Sequence, residues 1–262
     1  MKVSIITVSW NSAKTIEDTI QSVVNQTYKD IEYIIIDGLS SDGTMDIVNK
    51  YKDQISVIVS EKDSGIFDAF NKGVKLATGD VIGILNSDDF YTSSNTIEKV
   101  VNVFVEKNVD SVYADLVYVD AVDTNKISRY FQGGEYNRRK FENGWMPPHP
   151  TFFVKRYAYE QYGQFNTFMK IANDYELMLR FLYKFKLTSA YLPQVIVKMR
   201  EGGNSNGSLK VRYRANMEDR KAWKVNDMEP PIIGMTFKPL RKIQQFYIPT
   251  RIKMNLRNMQ NK

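Results

Sequence analysis

The chain has 262 residues, 43% of them apolar and 25% charged, which is enough for one large α/β domain or for a domain with an appendage. No apolar run reaches the roughly 20 residues of a membrane-spanning helix. No secretory leader is expected from a start that reads as a strand, and the absence of cysteine excludes disulfides and thiolate metal ligands, in keeping with a reducing compartment. The net charge of +6 is concentrated at one end. Seven of the 36 Lys and Arg residues lie between Lys238 and Lys262 with no acid among them, so the other 29 nearly balance the 30 Asp and Glu. A near-neutral body argues against a nucleic-acid groove across the main domain.

The opening VSIITVSW (3–10) is a short apolar run rich in β-branched residues, as a buried strand requires. Residues 14–27 place Ile16, Ile20, Val23 and Val24 on one helical face. IEYIIID (31–37) is a second buried strand, a helix follows near 43–53, and a strand at 55–60. Residues 66–77 read as helix, stopped at Gly79, and VIGILN (81–86) as strand. Asn95 with Glu98 has the spacing of a capping box for a helix to about 107, and SVYADLVYV (111–119) is a further strand. This alternation implies a mostly parallel, doubly wound sheet. Beyond about 120 the rhythm changes: 130–150 reads as a long loop, 173–186 as helix, 190–198 as strand and 202–208 as a Gly/Asn/Ser loop. The basic end interleaves its cations with Ile243, Phe246, Tyr247, Ile248, Ile252, Met254 and Leu256. That mixture suits an anionic membrane surface, and equally a helix packed on its own domain or on a second subunit of a homo-oligomer.

In open parallel sheets, ligands bind beyond the carboxyl ends of the strands. The informative acids are therefore those directly after apolar strands: Asp37, and Asp88-Asp89 after Asn86-Ser87. Hard cations such as Mg²⁺ or Mn²⁺ take one or two carboxylates and leave other positions to phosphate oxygens and water. A short acidic turn is the smallest such device, and it is also an ordinary loop cap. A dinucleotide fingerprint would need G-x-G-x-x-G after the first strand, where this chain has Ser9-Trp10-Asn11-Ser12-Ala13. A P-loop pattern is absent too.

Five blocks in order resemble the family 2 inverting glycosyltransferases of the GT-A fold, particularly bacterial enzymes of surface-polysaccharide assembly. These are VSIITVSWNSAKTIEDTIQSVVNQTY, IEYIIIDGLSSDGT, EKDSGIFDAFNKG, ATGDVIGILNSDD, and the pair HPTFF and IANDYELMLR. The likeness spans about 1–205. It implies a GT-A-like α/β domain with a donor-binding half at about 1–120 and an acceptor and catalytic half at about 121–205. Residues 206–262 then form a basic amphipathic helical extension.

The resemblance also implies roles. Residues Thr7 to Asn11, including Ser9, would wall the nucleobase, and Asp37 would accept its N–H. Asp63, Gly65, Asp68 and Lys72, with Asn71 nearby, would line the donor pocket, although Asp68 also suits a helix cap and Lys72 a solvated cation. Asp89 would bind Mn²⁺ or Mg²⁺ and bridge to the diphosphate, while Asp88 contacts ribose or metal-bound water. Asp174 would be the general base, with Asn173 where the family more often has Glu. His149 and Trp145 would meet acceptor or phosphate, and Arg200 with the Gly202–Ser205 loop would close over the diphosphate.

The expected activity is inverting transfer from a nucleotide-diphosphate sugar, expected to be a UDP-sugar, to a saccharide hydroxyl. The acceptor expected from the tail and the family is lipid-linked, such as a polyprenyl-diphosphate saccharide, at the inner face of the cytoplasmic membrane. Two alternatives are a sugar-phosphate nucleotidyltransferase, which would need a Gly-rich basic loop after the first strand, and a non-catalytic sugar-nucleotide binder, which would need no base at Asp174.

Overall fold

The computed structural model describes residues 1–202, 209–231, 245–246 and 252. Six elements open the chain in strict alternation: β1 (Val3–Ser9), α1 (Ile16–Val24), β2 (Ile31–Asp37), α2 (Thr44–Lys50), β3 (Val57–Ser60) and α3 (Ile66–Leu76). Then come β4 (Val81–Ile84), β5 (Asp89–Tyr91), α4 (Thr96–Lys107), β6 (Ser111–Val119), β7 (Ile127–Phe131), β8 (Phe153–Lys155) and α5 (Tyr157–Tyr162). The last elements are α6 (Asn173–Met178), which runs on as a π-helical turn over Leu179–Lys184, β9 (Ser189–Arg200) and α7 (Leu209–Lys224).

The strands form one sheet in the order β3-β2-β1-β4-β8-β6-β9-β5, with β7 also on β6. The β3-β2-β1-β4 part is parallel, as the alternation implies. The rest is mixed, because β8 runs antiparallel to β4 and β6, and β5 and β7 run antiparallel to β9 and β6. The fold is thus a single mixed α/β domain with a mostly parallel sheet.

Side-chain alternation along β1 builds a core on each face. Ile6 and Val8 join Phe70 and Val74 of α3, whereas Val3 and Ile5 join Ile16 and Ile20 of α1 and Val100 and Phe104 of α4. Each such buried aliphatic side chain contributes roughly 1.5–3 kcal/mol. Gly73 lets α3 approach β1 closely, since a Cβ there would lie 2.4 Å from Ile6 Cγ2.

The capping box at Asn95 does not form. Asn95 Oδ1 accepts from Ser93 Oγ, and Glu98 is taken by Thr27 Oγ1. The expected loop at 130–150 carries the end of β7 and short 3₁₀ turns at Arg138–Asn143 and His149–Thr151. The proposed boundary at 205 falls outside the described residues, as do most of 238–262. Two findings bear on the C-terminal region. α7 buries Ala222 and Trp223 in the main core, and Ile252 is buried against Val117, Val119, Tyr130 and Val195.

At the amino ends of the strands, buried Glu32 accepts hydrogen bonds from Lys2 Nζ, Ser4 Oγ and both Thr78 donors. Burial opposes its ionised form, but those bonds outweigh it and hold the carboxyl down at about 2. A depressed folded pKa contributes stability above the unfolded value of about 4.3, lost as pH falls toward 2. Glu32→Gln is therefore expected to flatten the fall in urea midpoint over that window, and an unchanged pH profile would refute it.

Candidate active site

The site lies beyond the carboxyl ends of β1, β2 and β4. Register explains its first feature. Asp37 aligns with Ser9 of β1 and Ser60 of β3, so its carboxylate lies between two serine hydroxyls. It accepts from Ser9 Oγ at 3.0 Å, Ser60 Oγ at 2.8 Å, Ser40 N at 2.9 Å and Ser40 Oγ at 2.5 Å. Asp37 is wholly buried and these four bonds fill its lone-pair positions. A base N–H would have to replace one of them, and only Ser40 stands on a loop. Thr7 is also wholly buried, its hydroxyl accepting from Tyr33, so it supports the sheet from within.

Asn11 has φ 49°, in the left-handed region that asparagine tolerates, and its side chain accepts from Ser41 N. Trp10 is 70% exposed beside Gly38, whose absent Cβ would lie 2.7 Å from Asp63 Oδ2. Trp10, Gly38 and Asp63 thus meet at one surface. Asp63 Oδ1 accepts from Gly65 N, and Gly65 at φ 123° is the turn into α3. Asp68, in the first turn of that helix, accepts from Ser64 N just before it. Lys72 pairs with Glu61 at 2.8 Å and donates to Lys62 O, while Asn71 is buried with both amide atoms on the Phe165 backbone. The last three residues secure the surroundings of the pocket.

Beyond β4 the chain turns through Asn86-Ser87-Asp88-Asp89. Ser87 Oγ meets Ser12 Oγ at 2.8 Å, which ties this turn to the loop after β1. Asp88 is half-buried, and burial raises its pKa against the opposing charges of Arg200 and His149. Asp89 opens β5 and is wholly buried. Burial, then the charge of Asp88, pushes its pKa well up. Its Oδ2 accepts from Asn86 Nδ2 at 3.3 Å, but Asp89 Oδ1 and Asn86 Oδ1 are buried without hydrogen-bond partners. One unpartnered oxygen of the ionisation-disfavoured Asp89 carboxylate and one of the neighbouring Asn86 amide fit a hard divalent cation. Arg200 ends β9 across from this turn, donating to Asp88 O at 2.8 Å and pairing with Asp18.

Asp174 stands in the first turn of α6, and His149 Nδ1 is 3.9 Å from its Oδ2. Both line a cavity walled by Phe70, Phe152, Tyr159 and Phe165. Burial and then the charge of Asp174 raise the Tyr159 hydroxyl. The charge of His149 also acts on Asp88, so the base candidate and the acidic turn lie on either side of this imidazole. Asn173 is buried and its amide both donates to and accepts from the Asn166 backbone, a double task that Glu cannot perform. Trp145 meets Tyr113 and Phe141 edge-on and is half-buried, so most of it packs into the core.

Sequence reading did not find β5, β8, the Asn86 oxygen or the contacts of α7. Three-residue strands carry no periodicity, and an amide oxygen has no spacing signature.

A PGL/p-HBAD biosynthesis glycosyltransferase of Mycobacterium bovis is 29% identical over 207 residues, covering 78% of each chain. Among solved structures, S. aureus TarS with UDP-GlcNAc superposes with a TM-score of 0.69 at 17% identity, covering 88% of this chain and 68% of that one. A mannosyltransferase from Pyrobaculum calidifontis with GDP-Man and Mn²⁺ gives 0.63 at 19% identity, covering 97% and 72%. These structures share the GT-A fold. Residues 4–163, which contain the strand-end acids and His149, match the profile of Glycosyl transferase family 2, and the chain belongs to that family of transferases.

Proposed function

We propose that the protein transfers a sugar with inversion from a nucleotide-diphosphate donor, a UDP-sugar in the first instance, to a saccharide hydroxyl. The observation that supports this most is the juxtaposition of Asp174, through His149, with the Asp88-Asp89 turn. A carboxylate base on one side and a cation-binding turn on the other suit a single displacement with no covalent intermediate.

In this reading the base stacks near Trp10 over Gly38, with Asp63 at its edge and Asp37 behind. Asp89 and Asp88 would hold Mn²⁺ or Mg²⁺. A cation held there would neutralise the charge that develops on the departing diphosphate. Among the described residues no group of three acids or histidines is present, so phosphate oxygens and water would complete its coordination. Arg200 supplies positive charge beside the same turn. Asp174 takes the proton of the acceptor hydroxyl in a pocket with aromatic walls. His149 orients that carboxylate.

The name of the mycobacterial relative, a PGL/p-HBAD biosynthesis glycosyltransferase, favours an acceptor in cell-surface glycoconjugate assembly. A lipid-linked saccharide at the inner membrane face would fit the basic tail. No described helix is long and apolar enough to cross a membrane.

The test is a donor screen by nucleotide-diphosphate release with Mn²⁺, with and without chelator. Release from one donor class, abolished by chelator and restored by Mn²⁺, is the expected result. Transfer that ignores the chelator would overturn the cation's role.

A further inference from the structure

Helix α7 follows the segments that match the family, yet one of its side chains reaches the base of the proposed catalytic helix. Glu218 Oε2 accepts from three successive backbone N–H groups: Lys170 at 3.2 Å, Ile171 at 2.7 Å and Ala172 at 3.0 Å. These donors lie just before α6, where a helix has no carbonyls of its own to offer. A carboxylate there also complements the helix dipole. The cap therefore comes from a residue 46 positions away rather than from the adjacent chain.

Two more bonds tie α6 to the end of α7 and the turn after it. Trp223 Nε1 donates to Tyr175 Oη at 3.0 Å, and Asn226 Nδ2 donates to Glu176 Oε1 at 2.9 Å. Tyr175 in turn donates to Phe141 O, and Glu176 pairs with Arg180. Asp174 lies between these anchors, two residues beyond Ala172 and one before Tyr175. On its other flank Asn173 fastens Asn166.

Charge pattern supports a dedicated role for Glu218. Residues 209–224 contain six Lys and Arg but only two acids, and both acids face inward: Glu218 to the 170–172 backbone, and Asp219 into the core at 2% exposure. A surface helix made for solubility would expose them.

We propose that Glu218 is a positioning residue for Asp174, holding the 170–172 segment so that the carboxylate meets the acceptor hydroxyl; this rests on the reading of Asp174 as the base. Positional errors of about 1 Å cost on the order of 10²-fold in rate. Glu218→Ala in the full chain is accordingly expected to lower kcat about 10- to 100-fold, with donor KM within about twofold. Turnover is normalised to the folded fraction by near-ultraviolet circular dichroism, which removes a merely structural loss. Amide hydrogen exchange at 170–172 should quicken.

Glu218→Gln, whose amide oxygen still accepts from these donors, should recover part of the rate. Wild-type normalised kcat in Glu218→Ala, or unchanged exchange at 170–172, would overturn the proposal. Failure of the base reading is separately visible. Full turnover by Asp174→Asn would remove the catalytic role from both residues, even with exchange at 170–172 quickened by Glu218→Ala.

Discussion

Asp174→Asn is expected to lower kcat by about 10²- to 10⁴-fold, the usual contribution of a positioned general base. Asn has the same shape but takes no proton, so the acceptor hydroxyl must attack without losing its own. Donor binding should be nearly unchanged, because Trp10, Gly38 and Asp63 meet at the ends of β1 and β2 while Asp174 stands on α6. Folding should also be spared. The Asp174 side chain is 24% exposed and its neighbour is His149, whereas the helix is held by Tyr175, Glu176 and the Glu218 cap. Nucleotide release per folded molecule, together with donor affinity, measures both parts. A variant with full turnover would sink the mechanism. A variant that lost donor affinity as much as rate would move Asp174 from catalysis to binding.

Asp89→Asn should separate activity from stability in opposite directions. Activity is expected to fall by about 10²- to 10³-fold, as for removal of a principal electrostatic stabiliser of the transition state. Stability in the absence of divalent ions should rise. The reason is that Asp89 is wholly buried beside Asp88, with one oxygen unpartnered, so its charge is costly in the fold. Its raised pKa means that the native state holds this proton more tightly than the unfolded chain. The contribution of the protonated group is full below the unfolded value of about 3.9 and is lost as pH rises through the folded value. The thermal midpoint of Asp89→Asn should therefore exceed that of the wild type increasingly as pH rises.

Added Mn²⁺ reverses the order. A cation that binds the native state raises the wild-type midpoint by mass action, and more so at higher pH, where the proton leaves easily. The variant should not respond. A Mn²⁺-dependent rise in Asp89→Asn equal to that of the wild type would place the cation elsewhere. Such a conflict between stability and function is expected where a binding site is built before its ligand arrives.

Several parts of the molecule are legible in the sequence. The strands at 31–37 and 111–119 match their observed limits, since residues buried on both sides leave mostly apolar runs, broken inside only by Glu32 and Asp115. Helix α3 is expected at 66–77 and found at Ile66–Leu76, because Gly65 and Gly79 bracket it. The parallel half of the sheet follows from alternation alone. The antiparallel strands do not: β5 and β8 each have three residues, too short to show a period of two. The capping box fails for a different reason. Ser93, two residues before, donates to Asn95 and the distant Thr27 donates to Glu98, so one local and one tertiary bond displaced the motif.

The site divides in the same way. The alternation of strands and helices and the order of the family-like blocks determined by themselves that this is an α/β transferase with Asp88 and Asp89 at a strand end, because those features are local in the chain. The resemblance already gave the two acids different roles, but only the tertiary structure supplied the physical difference, Asp89 sealed with one oxygen unpartnered, Asp88 half-buried and answered by Arg200 and His149. It also decided that Asp37 is saturated by serines from both neighbouring strands, through a register that no single segment encodes. His149 stands beside Asp174, and Glu218 caps the helix that carries it, for the same physical reason. A hydrogen-bond partner far along the chain is chosen by packing of the whole core, and leaves no mark in the spacing of residues near either end.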